Sequence, residues 1–502
     1  MKPNPDRRFW IALLILVILK LGLHLATNHR YGFHRDEYYF IACGEHLDWG
    51  YVDHSPGVAV VAKLSRALFG DSIRSIRFFP ALAGAWMVLL VGLVVRELGG
   101  GLYATVLAGV SFLIAPLFLR SNGMLTIVVF DQFFWVLSAY FLIRALKTNR
   151  PRYWILLGIT MGLGLMTKHT MLFFGFGLAV GLLLTSDRKR FATRWPWITA
   201  AVALSIFLPN ILWQIEHGWP TLQFLREINS SVMGRISPFE FTLGQILYLH
   251  PANVLVWVPG LWFFFFHREG KRYRIFGWIF VIVFALLALM KSKIYYLGPA
   301  FPVLFAGGAC AIEGWLRAPG LKWVRATLVV ILLLIGALMA PLSVPLLSIE
   351  GFHRYVSLFA GIVPNSREVA GDYRDMFGWE EQVEAVARVY HALPEEEKKG
   401  CAIFTDNYGE AGAIDYYGAR YGLPKAISGH NSYYLWGPGD YAGGTMIVVG
   451  IREDELEGVF TDIQLAEIVR NEYAMESEVH ILVCRGLTVT PEGLWKLTKG
   501  YG

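Results

Sequence analysis

Residues 31–56 read YGFHRDEYYFIACGEHLDWGYVDHSP, and they follow one apolar run, residues 9–25, and precede another, residues 78–95. A charge held against a membrane is costly unless it pairs, binds something or reacts. The stretch holds four ionisable side chains of interest, Asp36, Glu37, Asp53 and His54. Such a segment reads as the polar floor of a membrane-embedded site.

Working outward, the whole chain has 502 residues, 55% hydrophobic and only 17% charged, far from a soluble average. Apolar runs of membrane-crossing length recur about eleven times before residue 346. The expected fold class is therefore mainly α: a polytopic membrane domain over residues 1–345 and an extracytoplasmic α/β domain over residues 346–502. Residues 9–25 lack a small-residue cleavage pattern and read as a retained span.

The net charge of +6 does not indicate nucleic acid, because the basic residues sit in short loops between apolar runs. With the N-terminus in the cytoplasm, the clusters around Arg7, Arg144, Arg188, Lys271 and Lys322 all fall inward, as the positive-inside rule requires. The outward side then receives the loop 31–75, the loop 215–251 and the tail. Lys168, Lys291 and Lys293 are outward exceptions. In the first loop, residues 37–47 and 58–69 have the mixed faces of helices lying in the interface plane.

The tail alternates. Residues 379–391 and 410–421 have helical spacing, while CAIFTD, TMIVVG and VHILVC read as strands. It carries no GxGxxG or phosphate loop, so no nucleotide cofactor is expected. Cys401 and Cys484 lie in two of the strand-like runs and would form a disulfide if those runs brought them together in an oxidising space. The segment SGHNSYYLWGPGDY offers polar and aromatic side chains that either stack on a sugar ring or pack as an ordinary loop.

Chemistry-bearing residues follow from placement. Asp36 and Glu37 are candidates for deprotonating an acceptor, or for an interfacial ion pair with Arg35 or Arg30. Asp131 lies about two turns inside the apolar run TIVVFDQFFWVL, where a carboxylate must face a bundle interior. Lys168, in GLGLMTKHT, either snorkels to headgroups or binds a specific lipid phosphate. Lys291, Lys293, Tyr295 and Tyr296, in MKSKIYYLGPAFP, suit a phosphate leaving group, or form an aromatic belt with interfacial lysines. Asp53 and His54 offer an oxygen-plus-nitrogen pair for a divalent cation, incomplete without His250 or His217. A turn-stabilising Asp before Pro is the alternative.

In their order, HRDEYYF, YVDHSPG, FDQFFW, GLGLMTKHT and KSKIYYLGPAFP make residues 8–316 resemble the GT-C glycosyltransferases that use polyprenyl-phosphate sugars, especially the bacterial branch similar to protein O-mannosyltransferases and lipid A aminoarabinose transferases. The resemblance implies transfer of a sugar from a polyprenyl-phosphate donor to a glycan, lipid or protein acceptor at the outer face of the cytoplasmic membrane. It makes Asp36 the general base, Glu37 its acidic neighbour and Asp131 a second acidic residue at the reaction centre. It makes Tyr51 a phosphate-contacting tyrosine and Asp53 a residue near a bound cation. It places Lys168, Lys293, Tyr295 and Tyr296 along the lipid-phosphate cavity. His54 departs from the family pattern, which often has lysine there, and the loop 217–241 lacks the paired histidines of some relatives. The rival reading is a multi-span transporter or flippase with Asp131 and Lys168 as a coupled pair. The absence of an internal repeat and the crowding of polar residues on one face count against it.

Overall fold

A backbone crossing lipid must satisfy its own amides, so long apolar runs become helices. The computed structural model describes residues 5–231, 236–358 and 371–501. Among these, seven helices are long and apolar enough to cross a membrane, and up to nine spans result if each of two bent pairs counts as one. Some of the apolar runs expected as spans form shorter or broken helices. The run that begins with Leu102–Ile114 is cut at Pro116, which opens the short helix Pro116–Ser121, and Pro151–Leu165 is only 15 residues long.

Contact density divides the chain into two compact units. The first comprises Met1–His29, Arg74–Trp213 and Asn229–Leu346. Its helices Val254–Phe266 and Phe301–Trp315 approach closely because Gly260 faces the Leu304 carbonyl and Gly308 the Val256 carbonyl, where any Cβ would collide. Its basic loops are tied down: Glu97 takes Arg144 at 2.6 Å and Lys147 at 3.0 Å, and Asp6 takes Arg96 at 3.0 Å.

The second unit comprises Arg30–Ile73, Gln214–Ile228 and Leu347–Gly502. The tail thus clusters with the loop Arg30–Ile73. A five-stranded sheet of order β2-β1-β3-β5-β4 is built from β1 (Ala402–Thr405), β2 (Ala426–Ser428), β3 (Met446–Val449), β4 (Phe460–Arg470) and β5 (Glu478–Leu487). β1 runs parallel to β2 and β3, while β5 is antiparallel to β3 and β4. The three strands expected from the sequence form its centre. β4 escaped because it is an edge strand, largely exposed and carrying Asp462, Glu467 and Arg470. Cys401 and Cys484 are free thiols. Met446 of β3 is the partner of both Ala402 and Cys484, so β3 stands between the two cysteines. Two strand spacings, about 10 Å, exceed the reach of a disulfide.

Within this unit the helix Arg35–Glu45 packs on the tail helix Tyr408–Tyr417. The contact needs bare backbone. A Cβ at Gly409 would enter the Arg35 side chain, and one at Gly412 would sit 2.8 Å from Tyr38.

Candidate functional site

The sequence HRDEYYF starts the helix Arg35–Glu45 through a reciprocal cap. His34 Nδ1 accepts the Asp36 N–H at 3.1 Å, and the Glu37 carboxylate accepts the His34 N–H at 2.8 Å. Glu37 is fully buried in that duty. Asp36, one position earlier, has a side chain 37% exposed. Its Oδ1 accepts the Tyr408 hydroxyl at 2.8 Å, and its Oδ2 lies 3.9 Å from His34 Nδ1. That nitrogen already accepts a backbone N–H, so it has no proton to offer Oδ2.

The second half of the loop supports this helix. Tyr51 is 1% exposed, and its hydroxyl points at the carbonyls of Cys43 and His46, 2.7 and 3.0 Å away. It satisfies the carbonyls at the end of the helix. The Tyr39 hydroxyl donates to Asp53 Oδ1 at 2.7 Å and lies 2.7 Å from the Ser432 hydroxyl. Burial pushes the Asp53 carboxyl above the ordinary carboxylate range, against the opposing pull of His54 and Tyr39.

Asp53 and His54 do not fit a metal pair. His54 Nδ1 is 2.8 Å from the Ser55 carbonyl, its Nε2 faces Cys43 Sγ at 3.7 Å, and the residue is 1% exposed. Among the described residues no group of three or more His, Cys, Asp or Glu side chains could hold a metal ion. Asp53 instead holds Tyr39 in place.

A second polar cluster lies in the first unit. Asp131 sits in the second turn of the helix Ile127–Thr148, 1% exposed, with Oδ1 lacking a hydrogen-bond partner. Lys168 is in the connection between the helices Pro151–Leu165 and Met171–Leu183, 8% exposed. The Asp131 charge attracts its ammonium and that of Lys293 repels it. Its Nζ lies 4.9 Å from the Tyr295 ring centre and 4.4 Å from that of Tyr296. Both phenols belong to the 3-10 segment Ile294–Ala300, for which Lys293 is the N-cap. Asp131, Lys168, Lys293, Tyr295 and Tyr296 thus share one site. Lys291 is exposed and has φ +51°, ending the helix before it.

Sequence reasoning missed Tyr39, Tyr408 and Ser432. A signal for Tyr408 was present: Asn407 and Glu410 form a capping box, and Gly409 and Gly412 mark a face for close approach. It also missed a line of buried polar groups, Lys20 and His24 in the first span and Asn28 just past its end, at four-residue spacing. Lys20 bonds to the Phe118 carbonyl at 3.0 Å, while the ring nitrogens of His24 have no hydrogen-bond partner. The loop SGHNSYYLWGPGDY spends its rings on protein neighbours. Trp436 stacks on His46 at 4.4 Å, and Tyr434 on Trp495 at 5.6 Å.

Residues 53–213 match the model of the family described as dolichyl-phosphate-mannose-protein mannosyltransferase. ArnT from Cupriavidus metallidurans superposes with TM-scores of 0.58 in the apo state and 0.61 bound to undecaprenyl phosphate, in each case at 16% identity over 95% of this chain and 97% of that one. The chain carries the ArnT-like GT-C fold. It also matches the Archaeoglobus fulgidus oligosaccharyltransferase tethered to an acceptor peptide, with a TM-score of 0.53 and 14% identity over 83% of this chain and 64% of that one. Lipid A galacturonosyltransferase RgtD of Rhizobium johnstonii is 25% identical over 294 residues, 57% of this chain. The match spans 61% of that curated relative's length. With its apolar helices and its membrane GT-C relatives, the chain is a multi-pass membrane protein.

Proposed function

We propose that the protein is a glycosyltransferase that moves a sugar from a polyprenyl-phosphate donor to an acceptor, with Asp36 as general base. One observation carries the reading. Asp36 is a carboxylate whose Oδ1 is held by a donor and whose Oδ2 receives no proton from its nearest nitrogen, on a capped helix and 37% exposed. That oxygen would take the proton of an acceptor hydroxyl or amine as the acceptor attacks the anomeric carbon. The bond from that carbon to the donor phosphate breaks with its electron pair on the phosphate, which predicts inversion. In the first unit, the group of Lys168, Lys293, Tyr295 and Tyr296 offers the charge and hydroxyls that suit a donor phosphate. No step is routed through a divalent cation.

The capture of undecaprenyl phosphate by ArnT and the name of RgtD support a polyprenyl-phosphate carrier and put a glycolipid first among acceptors to be tried, ahead of protein. The positive-inside pattern supports a cytoplasmic N-terminus and chemistry at the outer face of the inner membrane. Turnover of a lipid-linked sugar by the purified full chain and by Asp36→Asn tests the proposal. Loss of transfer in the variant is expected, and undiminished transfer would remove the base assignment.

A further inference from the structure

We infer that Tyr408, from the tail, is a positioning residue for Asp36: its hydroxyl holds Oδ1 and leaves Oδ2 as the oxygen that meets the acceptor. The inference rests on the function proposed above and adds to it a part for the tail in the chemistry.

Four observations converge. The hydroxyl lies 2.8 Å from Oδ1, a normal length for a bond to a carboxylate. The ring is fixed on three sides, with centres 4.7 Å from Tyr39, 4.7 Å from His430 and 5.6 Å from the Arg35 guanidinium carbon. The backbone beneath it is set by the Asn407 cap, which bonds Gly409 N at 2.9 Å, and Asn407 Nδ2 is itself held by Glu476 at 3.0 Å. Finally, Gly409 and Gly412 bring this helix onto Arg35 and Tyr38, on either side of Asp36. A ring so confined has little rotamer freedom left, so its hydrogen bond costs little further ordering.

The charge setting decides which partner keeps the proton. Burial and the Asp36 charge push the Tyr408 hydroxyl well above its ordinary range, so it remains a donor. The other ionisable groups acting on Asp36 are Arg35, His34, Asp53 and His430. Tyr408 touches it from the tail, and His34 from its own cap. A donor to an ionised carboxylate stabilises the charged form. Removing it takes that stabilisation away and frees the carboxylate to turn.

The test uses the full-length protein with a lipid-linked sugar donor, measuring kcat/KM against pH. Tyr408→Phe keeps the ring and removes only the oxygen. The expected result is a loss of about tenfold on the plateau and an acid limb moved up by about one pH unit, the scale of one charged hydrogen bond. Tyr417→Phe is the control on the same tail helix, since its hydroxyl meets that of Tyr38 at 3.3 Å; its profile should match the unmodified protein. In an Asp36→Asn background, Tyr408→Phe should cause no further loss. An unmoved acid limb in Tyr408→Phe, with Asp36→Asn inactive, overturns this inference and leaves the proposed function standing. An active Asp36→Asn overturns both.

Discussion

Asp36 and Asp131 are the carboxylates at the hearts of the two polar clusters, and their surroundings differ in kind. The Asp36 side chain is 37% exposed, with one oxygen bonded to a tyrosine hydroxyl and the other 3.9 Å from His34 Nδ1. Asp131 is 1% exposed, with its nearest opposite charge the Lys168 ammonium. A group that must exchange a proton with an incoming molecule needs reach and orientation, which Asp36 has. A group buried beside a lysine is a fixed counter-charge, which limits how strongly that lysine attracts anions. The difference teaches that acidity of position, not acidity of residue type, separates the two.

The largest effect that would break this comparison is on turnover. Asp36→Asn is expected to lower kcat by about 10²- to 10⁴-fold, the range of one positioned general base. Asp131→Asn is expected to act mainly on the KM for the lipid-linked donor. Steady-state kinetics with both substrates varied separates them. If Asp131→Asn abolishes kcat while donor KM stays put, the assignment of roles is reversed.

Next in size is the lysine itself. Lys168→Met keeps the length and apolar stem but removes the charge facing Tyr295 and Tyr296. Donor KM should rise by about tenfold or more, as expected for one lost charge-assisted contact to phosphate. Competition by free polyprenyl phosphate should weaken in parallel. Equal inhibition of the two proteins by that lipid would show that the ammonium does not touch phosphate.

A smaller effect sharpens the contrast between neighbours. Glu37→Gln leaves Asp36 intact and weakens the reciprocal cap at His34. Losing such a cap costs about 1 kcal/mol, so thermal unfolding should shift by a few degrees or less, with kcat little changed. A large fall in kcat at unchanged unfolding temperature would restore Glu37 to the chemistry.

These variants also mark what can be read from letters alone. Apolar length is a property of one dimension, so the long spans are visible in the sequence, as are both helices of the loop that follows the first of them, Arg35–Glu45 and Gly57–Phe69. The placement of costly charges made Asp36, Asp131 and Lys168 stand out for the same reason. What the sequence does not disclose is partner choice across long separations. Tyr408 is 372 positions from Asp36, and no period links them. Glu37 and Tyr51 look like chemistry in the sequence because they sit beside Asp36 and Asp53, yet a hydrogen bond to the local backbone claims each. Proximity in sequence overstates shared function, and the cap at His34 shows how one helical step turns a carboxylate from open to buried.

The smallest expected effect concerns a buried carboxylate of the tail with a structural part. Asp415 accepts the Ala426 N–H at 2.9 Å and the Tyr433 hydroxyl at 2.9 Å. Burial pushes its carboxyl up to about 6, with Lys425 pulling the other way. A carboxyl raised in the fold favours the protonated state. Its contribution to stability is therefore full below the unfolded value of about 4 and is lost as pH rises through about 6. Asp415→Asn keeps an acceptor for Ala426 and cannot ionise, so unfolding temperature should fall less steeply across that interval than in the unmodified protein. Activity relative to the folded fraction should not change, because neither Ala426 nor Tyr433 touches Asp36. A slope equal to that of the unmodified protein would mean that Asp415 stays ionised in the fold, and the contrast between carboxylates that work and carboxylates that brace would lose its third example.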